Sequence, residues 1–177
     1  MNRTGTVIFF TGLSGSGKTT LAEALAEKIK KERGIPITIL DGDNVRTFLS
    51  SELGFSKEHR DLNIRRIGFV AAEIAKHGGF VICCPIAPYE SVRQEVRKIV
   101  ENNGGKFILI YVSTPISECE KRDTKGLYRK ARDGIIKNFT GISDPYEIPC
   151  KADVILDTTN ATVNHCVHYI LEQLEKK

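Results

Sequence analysis

The segment 12–19 reads Gly-Leu-Ser-Gly-Ser-Gly-Lys-Thr and matches the pattern GxxxxGK[ST] at every fixed position. In this pattern the glycines let backbone N–H groups turn inward on a phosphate chain, the lysine reaches the β- and γ-phosphates, and the final hydroxyl ligates Mg²⁺. A dinucleotide-binding fingerprint would need a third glycine where Thr20 stands. We therefore predict that a nucleoside triphosphate binds at Gly12, Leu13, Ser14, Gly15, Ser16, Gly17, Lys18, Thr19 and Thr20.

Two carboxylates, Asp41 and Asp43, follow the apolar run 37–40. If that run is a strand beside the first one, both carboxylates lie at the carboxyl edge of the sheet, where such folds collect ligands. A carboxylate there can hold Mg²⁺ through water or accept the proton of an attacking hydroxyl, and Asp43, on the turn beyond the strand, suits the second role. An Asx turn followed by a helix cap is the alternative interpretation.

The positive charge of the chain is concentrated in one segment. The net charge is +4, but residues 121–132 hold six cations against one carboxylate, which leaves the rest with 20 cations and 21 carboxylates. That balance argues against a general nucleic-acid coat. Cations that close over a triphosphate stabilise its developing charge and exclude water. We predict a basic lid at about 121–141; a solvated basic surface that could touch RNA is the alternative.

The elements that must position these groups alternate along the chain. Apolar runs at 7–11, 37–40, 80–84, 107–112 and 154–156 are typical of strands buried on both faces of a parallel sheet. Apolar residues at helical spacing lie between and after them, within 21–29, 64–75, 92–100 and 163–174. The stretch 123–152 has no periodicity and is expected to be a binding loop. These patterns predict a three-layer α/β fold, with a five-stranded parallel sheet flanked by helices, as one domain over 1–177.

The cysteines and the apolar runs bear on the compartment. Five cysteines form no CxxC pair and have no partners at metal-ligand spacing, so we expect ordinary buried thiols. No signal peptide and no run of about 18 apolar residues is found. We therefore expect a soluble protein in the reducing cytoplasm, without a membrane partner.

Six blocks of sequence, in order, carry a resemblance to a known family. They are GLSGSGKTT at 12–20, LDGDNVR at 40–46, GFSKEHRDLNIRRIG at 54–68, IAPY at 86–89, KRDTKGLYRKAR at 121–132 and NFTGISDPYE at 138–147. Together they resemble adenylylsulfate kinase, a P-loop kinase. The resemblance implies transfer of the γ-phosphoryl group of ATP, with Mg²⁺, to the ribose 3′-hydroxyl of adenylylsulfate in sulfate activation. It also implies a homodimer and allows a functional association with ATP sulfurylase.

The resemblance assigns roles to single residues. It implies that the rings of Phe55 and Phe139 clamp the substrate adenine, since stacking on a base contributes about 1–3 kcal/mol, although each ring could instead pack on the core. Arginine suits the oxyanions of the substrate because its donors form a fork. The catalytic residues are then Lys18 and Asp43, Arg122 lies near ATP, and Thr19 ligates the metal. The substrate-binding set is Asp41, Asp43, Arg46, Phe55, Arg60, Asn63, Ile86, Ala87, Lys125 and Phe139.

One departure from the family bears on the mechanism. Many members have a serine before the Pro-Tyr of the IAPY block, which has been proposed as a phosphoserine intermediate, whereas this chain has Ala87. Alanine carries no nucleophile, so we predict direct in-line transfer to the substrate hydroxyl, with Asp43 orienting or deprotonating it. Cys84, Pro85 and His59 also differ from residues common in the family.

Two other functions fit parts of the sequence. The first is another kinase on the same fold, acting on gluconate, shikimate or a nucleoside monophosphate; the pair Phe55 and Phe139 favours a purine substrate. The second is a nucleotide-binding regulatory domain without catalysis, for which Ala87 is the one indication. The complete set of Lys18, Thr19 and Asp43 favours an enzyme.

Overall fold

The computed structural model describes residues 4–176, and within them five parallel strands form one sheet in the order β2-β3-β1-β4-β5. Each strand lies at a predicted apolar run, with its ends shifted by at most one residue. The strands are β1 Thr6–Thr11, β2 Ile37–Leu40, β3 Phe80–Cys83, β4 Lys106–Val112 and β5 Val154–Leu156. The predicted fold class is therefore confirmed.

Seven helices accompany the strands in the described part of the chain. They are α1 Lys18–Arg33, α2 Gly42–Phe48, α3 Lys57–Lys76, α4 Glu90–Asn102, α5 Ile116–Arg122, α6 Leu127–Arg132 and α7 Val163–Glu175. The four long helices occupy the segments with apolar residues at helical spacing. The short helices α2, α5 and α6 were not predicted, because six or seven residues span less than two turns and show no apolar period. Helix α6 corrects the expectation that 123–152 is irregular throughout.

The sheet lies between two helical layers, each with its own core. Successive residues of β1 alternate sides: Val7 and Phe9 pack with apolar residues of α3 and α4, while Ile8 and Phe10 pack with those of α1 and α7. Burial on both faces is confirmed for β1, whose six residues are all buried. It was wrong for β2, none of whose residues is fully buried, and for Ile155 of β5, because these two strands form the sheet edges.

The strand order corrects one expectation about the site. Strand β3 lies between β2 and β1, so Asp41 is not directly beside the first strand. Cys84, the residue that follows β3, lies between Asp41 and the end of β1. Four cysteines are buried as expected, but Cys150 is exposed. No helix within residues 4–176 is long and apolar enough to cross a bilayer.

Candidate active site

The phosphate-binding loop connects β1, in the centre of the sheet, to α1. Gly12 has a φ of +148°, and a Cβ there would lie 2.6 Å from the Val112 carbonyl oxygen, so the loop needs glycine at its start. Gly17, which precedes α1, has a φ of +98°. The hydroxyl of Thr158 donates to the Ser16 carbonyl oxygen at 2.9 Å and fixes the loop from behind. Thr19 and Thr20 are exposed at the first turn of α1.

Lys18 is buried inside this loop. Its Nζ donates to the Leu13 carbonyl oxygen at 2.7 Å and to Ser16 Oγ at 3.4 Å. Burial lowers the pKa of Lys18 to about 8, although the nearby Asp41 carboxylate opposes that shift. The ammonium group therefore changes charge close to neutral pH, unlike a surface lysine.

Asp41 joins the end of β2 to the phosphate-binding loop. Its Oδ2 accepts from Thr19 Oγ1 at 2.9 Å and from Cys84 Sγ at 3.5 Å, while Oδ1 caps α2 by accepting from the Asp43 N–H at 2.9 Å. Burial would raise the pKa of Asp41, but these hydrogen bonds outweigh burial and lower it. The helix cap proposed as an alternative is thus present, and the same carboxylate also reaches Thr19.

The oxygens of Thr19 and Asp41 form a donor set that suits Mg²⁺, a hard cation that prefers hydroxyl, carboxylate and water oxygens. They lie at the start of α1, where the phosphates of a nucleotide would lie. Within residues 4–176 no three His, Cys, Asp or Glu side chains cluster around a common point. The residues present therefore fit a magnesium ion that takes most of its oxygen ligands from phosphate and water.

Asp43 lies in the first turn of helix α2, directly beyond β2, whereas the sequence predicted only a turn at this place. Its exposed carboxylate forms an ion pair with Lys125, which lies between α5 and α6 in the predicted lid. The structure thus brings together the predicted catalytic carboxylate and a lid cation from distant parts of the chain.

Phe55 and Arg46 form an exposed aromatic surface. The Phe55 ring is 59% exposed, and the Arg46 guanidinium carbon lies 4.4 Å from the ring centroid. Arg46 also donates to the carbonyl oxygens of Leu53 and Gly54, which orients its guanidinium. The arrangement offers one stacking face and one cation at the same place.

Phe139 lies in a different environment from Phe55. It is only 9% exposed and packs edge-on against Tyr128, with ring centroids 5.0 Å apart. Phe139 thus packs on a core, as the alternative interpretation described, and Phe55 does not. Stacking of either ring on a substrate adenine stays a prediction. The small lid core to which it belongs consists of Cys119, Tyr128, Ala131 and Phe139.

Arg60 connects the loops of the two phenylalanines. It is buried, and it donates to the Phe55 carbonyl oxygen at 2.9 Å, to the Asn138 carbonyl oxygen and to Thr140 Oγ1. The guanidinium that the resemblance directs at the substrate is thus engaged by the protein itself. It holds the two loops together.

Two buried side chains of α3 have oxygens without a partner among the described residues. Asn63 is 4% exposed and its Oδ1 accepts no hydrogen bond. Asp61 Oδ1 is in the same state, while its Oδ2 accepts from Lys57 at 2.9 Å. A buried unpaired acceptor costs about 1–3 kcal/mol. Asn63, which the resemblance assigned to the substrate, thus has an acceptor that no protein group uses; the same state of Asp61 was not expected.

The carbonyl groups of Ile86 and Ala87 are engaged by the protein. Thr11 Oγ1, at the end of β1, donates to the Ile86 oxygen at 2.7 Å, and Arg93 Nη1 donates to the Ala87 oxygen at 2.7 Å. Ala87 is buried and has a φ of +46°. Sequence reasoning missed Thr11 and Arg93, since neither belongs to a motif and their partners are backbone atoms.

The lid contacts the phosphate-binding loop through side chains. Arg122 donates to Thr158 Oγ1 at 2.8 Å and approaches the Gly15 carbonyl oxygen at 3.4 Å. Tyr128 donates to the Ser14 carbonyl oxygen at 2.9 Å. Arg132 pairs with Glu120 on α5 at 2.5 Å, so part of the basic charge is neutralised locally.

Comparisons with known proteins identify the family of the chain. Residues 4–157 match the model of the adenylylsulphate kinase family. An adenylyl-sulfate kinase of Synechococcus sp. (strain JA-3-3Ab) is 48% identical over 98% of this chain and 96% of its own length. A sulfate adenylyltransferase of Neosartorya fischeri is 50% identical over 97% of this chain, which corresponds to 30% of that longer protein.

A solved structure extends the comparison to three dimensions. The Mycobacterium tuberculosis APS kinase CysC in complex with AMPPNP and APS superimposes with a TM-score of 0.92 at 40% identity, covering 98% of this chain and 99% of that one. The two chains therefore share one overall fold. The chain belongs to the adenylylsulphate kinase family, and it is a kinase that uses ATP to phosphorylate an alcohol acceptor.

Proposed function

We propose that this protein phosphorylates the ribose 3′-hydroxyl of adenylylsulfate with ATP and so forms 3′-phosphoadenylylsulfate in cytoplasmic sulfate activation. One observation carries the proposal: Asp43, a carboxylate with the lid cation Lys125 against it, lies two residues from the Asp41 that contacts the phosphate-binding loop. The similar M. tuberculosis protein, described in complex with AMPPNP and APS, supports the same pair of ligands here.

The nucleotide side of the site is the loop 12–20 with Arg122. Backbone N–H groups of the loop and the first turn of α1 bind the phosphates, and Lys18 adds a positive charge at their distal end. Arg122 is held beside Gly15 by Thr158, so it flanks the nucleotide without having to move far. These residues bind and orient ATP.

Mg²⁺ would be held by Thr19 directly and by Asp41 through water. When bound, the ion neutralises charge on the β- and γ-phosphates during transfer. Hydrogen bonds from the Asp43 N–H and the Cys84 thiol orient the Asp41 carboxylate and favour its ionised form, which suits a metal ligand.

The substrate side is the surface formed by α2, α3 and the loop between them. Phe55 stacks on the adenine, Arg46 beside it faces the phosphosulfate group, and Asn63 uses its unpaired oxygen as an acceptor. Arg60 holds the loops of Phe55 and Phe139 at a fixed separation. The backbone of Ile86 and Ala87 lines the site and reads the edge of the adenine, as the family resemblance implies.

The chemical step is a single displacement. The 3′-oxygen of the substrate attacks the γ-phosphorus, its proton passes to the Asp43 carboxylate, and the bond to the bridging oxygen breaks to release ADP. Lys18 and Lys125 offset the negative charge that spreads over the transferred group. Direct transfer follows from Ala87, which offers no nucleophile and is buried.

The lid completes the site as a part of a single domain over 1–177. Its segment, about 121–141, contains α6 and rests on the phosphate-binding loop through Leu13 and Tyr128. Closure of this segment excludes water that would otherwise hydrolyse ATP. A functional association with ATP sulfurylase belongs to the same proposal, since a sulfate adenylyltransferase contains a region 50% identical to this chain. A homodimer is proposed from the family resemblance.

The test is a product assay. Protein with Mg-ATP and adenylylsulfate, the latter varied from low to high concentration because substrate inhibition is common in the family, should yield 3′-phosphoadenylylsulfate and ADP on ion-exchange chromatography. AMP and gluconate serve as competing acceptors, and Asp43→Asn serves as the inactive control. If no 3′-phosphoadenylylsulfate forms at any substrate level, the proposal is wrong; any transfer above background excludes a purely regulatory domain.

A further inference from the structure

Arg93, on α4, is a charged side chain placed wholly inside the protein. Its side chain is 0% exposed, and it donates to the Ala87 carbonyl oxygen at 2.7 Å, to the Glu147 carbonyl oxygen at 2.7 Å and to Glu90 Oε2 at 2.6 Å. Burying a guanidinium is unfavourable unless every donor finds a partner. Its hydrogen-bond partners lie in two segments, at 87–90 and at Glu147, and its guanidinium carbon also lies 5.8 Å from the centroid of the Tyr146 ring, so the cation holds these segments together.

The backbone that Arg93 holds is strained. Ala87 has a φ of +46°, a conformation that disfavours every residue with a Cβ. Two donors keep it there: Arg93 Nη1 on its carbonyl oxygen, and Thr11 Oγ1, which lies 3.2 Å from the same oxygen and 2.7 Å from that of Ile86. Strain of this kind persists only where the surroundings determine it, and it is concentrated at functional sites.

The segment after the lid is attached to the same backbone. The Glu147 N–H donates to the Pro88 carbonyl oxygen at 2.8 Å, and Glu147 Oε2 accepts from the Glu90 N–H at 2.6 Å. Tyr146 shares a hydrogen bond of 2.8 Å with Thr11. The loop 86–90 is thus held from the sheet, from α4 and from the segment that follows the lid.

We propose that Arg93 is a positioning residue for the acceptor substrate. Its donors are taken up by protein groups, and it keeps Ala87 in the left-handed conformation. The backbone of Ile86 and Ala87 then lines the acceptor site. This inference rests on the proposed function, in which those two residues line the site. The phosphate-binding loop 12–20 leads into α1, which packs on the opposite face of the sheet from α4, so we expect ATP binding to depend much less on Arg93.

The first test compares two arginines of the same helix. Arg93→Gln should raise the KM for adenylylsulfate by about tenfold or more, since a displaced wall misplaces the acceptor, while the KM for Mg-ATP changes by less than about twofold. The matched control is Arg97→Gln, which removes a comparable ion pair with Asp153 at 2.6 Å, one turn further along α4. It should lower thermal stability and leave both KM values in place. Equal changes for both substrates, or for both variants, would overturn the proposal.

The second test addresses the strained backbone. Once Arg93 is lost, alanine returns to negative φ, whereas glycine still adopts +46° without strain. Adding Ala87→Gly to Arg93→Gln should therefore lower the KM for adenylylsulfate about fivefold from its value in Arg93→Gln. A purely structural role of Arg93 predicts no such rescue. If the KM for adenylylsulfate in the double variant equals that in Arg93→Gln, the proposal is contradicted.

The third test needs no activity at all. Hydrogen exchange at the amides of Ile86, Ala87 and Tyr89 should accelerate in Arg93→Gln and not in Arg97→Gln. If the unmodified protein does not phosphorylate adenylylsulfate, the proposed function fails, and the exchange result alone still decides whether Arg93 holds the loop. If Arg93→Gln does not fold, Thr11→Val removes the hydrogen bonds that Thr11 donates to the Ile86 and Ala87 carbonyl oxygens. Unchanged exchange at the amides of Ile86, Ala87 and Tyr89 in that variant would count against the proposal.

Discussion

The Lys125 ammonium group lies against the Asp43 carboxylate, although 82 residues separate the two in the sequence. Both side chains are largely exposed, at 60% and 73%, so this ion pair contributes only about 0–1 kcal/mol to folding. Its significance is positional, because it places the lid over the first turn of α2. The predicted base and the lid are thereby brought to the same point of the site.

Asp43→Asn should abolish turnover while leaving nucleotide binding intact. The amide cannot accept the proton of the 3′-hydroxyl, and loss of general-base catalysis lowers kcat by about 10²–10⁴-fold. Steady-state assays measure the loss, and the thermal shift produced by ADP measures retained binding. Asp133→Asn, which alters an exposed carboxylate at the end of α6, is the control and should be fully active. Turnover like that of the unmodified protein would remove Asp43 from the mechanism.

The lowered pKa of Lys18 predicts proton uptake on nucleotide binding. Burial holds that pKa at about 8, and bound phosphates raise it, so binding above pH 8 must protonate the lysine and weakens as the pH rises. Isothermal titration at about pH 9, in buffers of different ionisation enthalpy, should show uptake that is absent from Lys18→Met. Uptake that persists in Lys18→Met would assign the proton to another group.

The same pKa has a consequence for folding. An unfolded lysine keeps its proton to about pH 10.4, whereas the folded chain releases it near pH 8. The unfolded state therefore binds more protons between these values, and stability rises with pH across that window. Urea unfolding measures the free energy of unfolding of the unmodified protein and of Lys18→Met at several pH values. The difference between the two should grow in favour of the unmodified protein as the pH rises through this window, and a difference that is constant with pH would contradict the prediction.

Phe55→Ala and Phe139→Ala should fail in different ways. Phe55 is exposed, so its removal should weaken adenylylsulfate binding by about 5–100-fold, the equivalent of about 1–3 kcal/mol, without lowering the free energy of unfolding. Phe139 packs on Tyr128, so its removal should destabilise the lid core by about 3–5 kcal/mol. Equilibrium dialysis and hydrogen exchange separate the two effects. Phe55→Tyr keeps the stacking face and should bind normally; a binding loss equal to that of Phe55→Ala would argue against stacking.

Direct transfer predicts inversion at phosphorus. With Ala87 in place of a serine, a single displacement should invert a chiral γ-phosphorothioate of ATP, whereas a phosphoenzyme route would retain its configuration. Analysis of the product's stereochemistry decides between them, and Ala87→Ser tests whether a hydroxyl at this position opens a second route. Retention in the unmodified protein would exclude direct transfer.

The strands and the phosphate-binding loop were predictable because their signals are local. Continuous apolar runs and the fixed spacing from Gly12 to Thr19 depend on neighbouring residues only. The order of the strands was not predictable in the same way, because the insertion of β3 between β2 and β1 is a property of tertiary packing. For this reason Asp41 was expected directly beside the first strand. In the structure β3 separates the two, and Asp41 accepts a hydrogen bond from Thr19 at the start of α1.

The different environments of Phe55 and Phe139 show the same limit within the site. Both are loop phenylalanines with polar neighbours, and only the Tyr128 ring, brought in by the unpredicted helix α6, buries one of them. Arg93 likewise gave no signal, since a lone arginine in an amphipathic helix is usually solvated. Its role depends on backbone carbonyl groups that the fold assembles.

Cys150 gives the protein a single natural attachment point for a spectroscopic reporter. The other four thiols are buried, whereas Cys150 is exposed and lies three residues after Glu147, whose carbonyl oxygen accepts from Arg93. A maleimide fluorophore should therefore modify the unaltered chain at one position, next to the segment that follows the lid. A change in its emission on addition of substrate would report altered surroundings at this position, with no engineered cysteine.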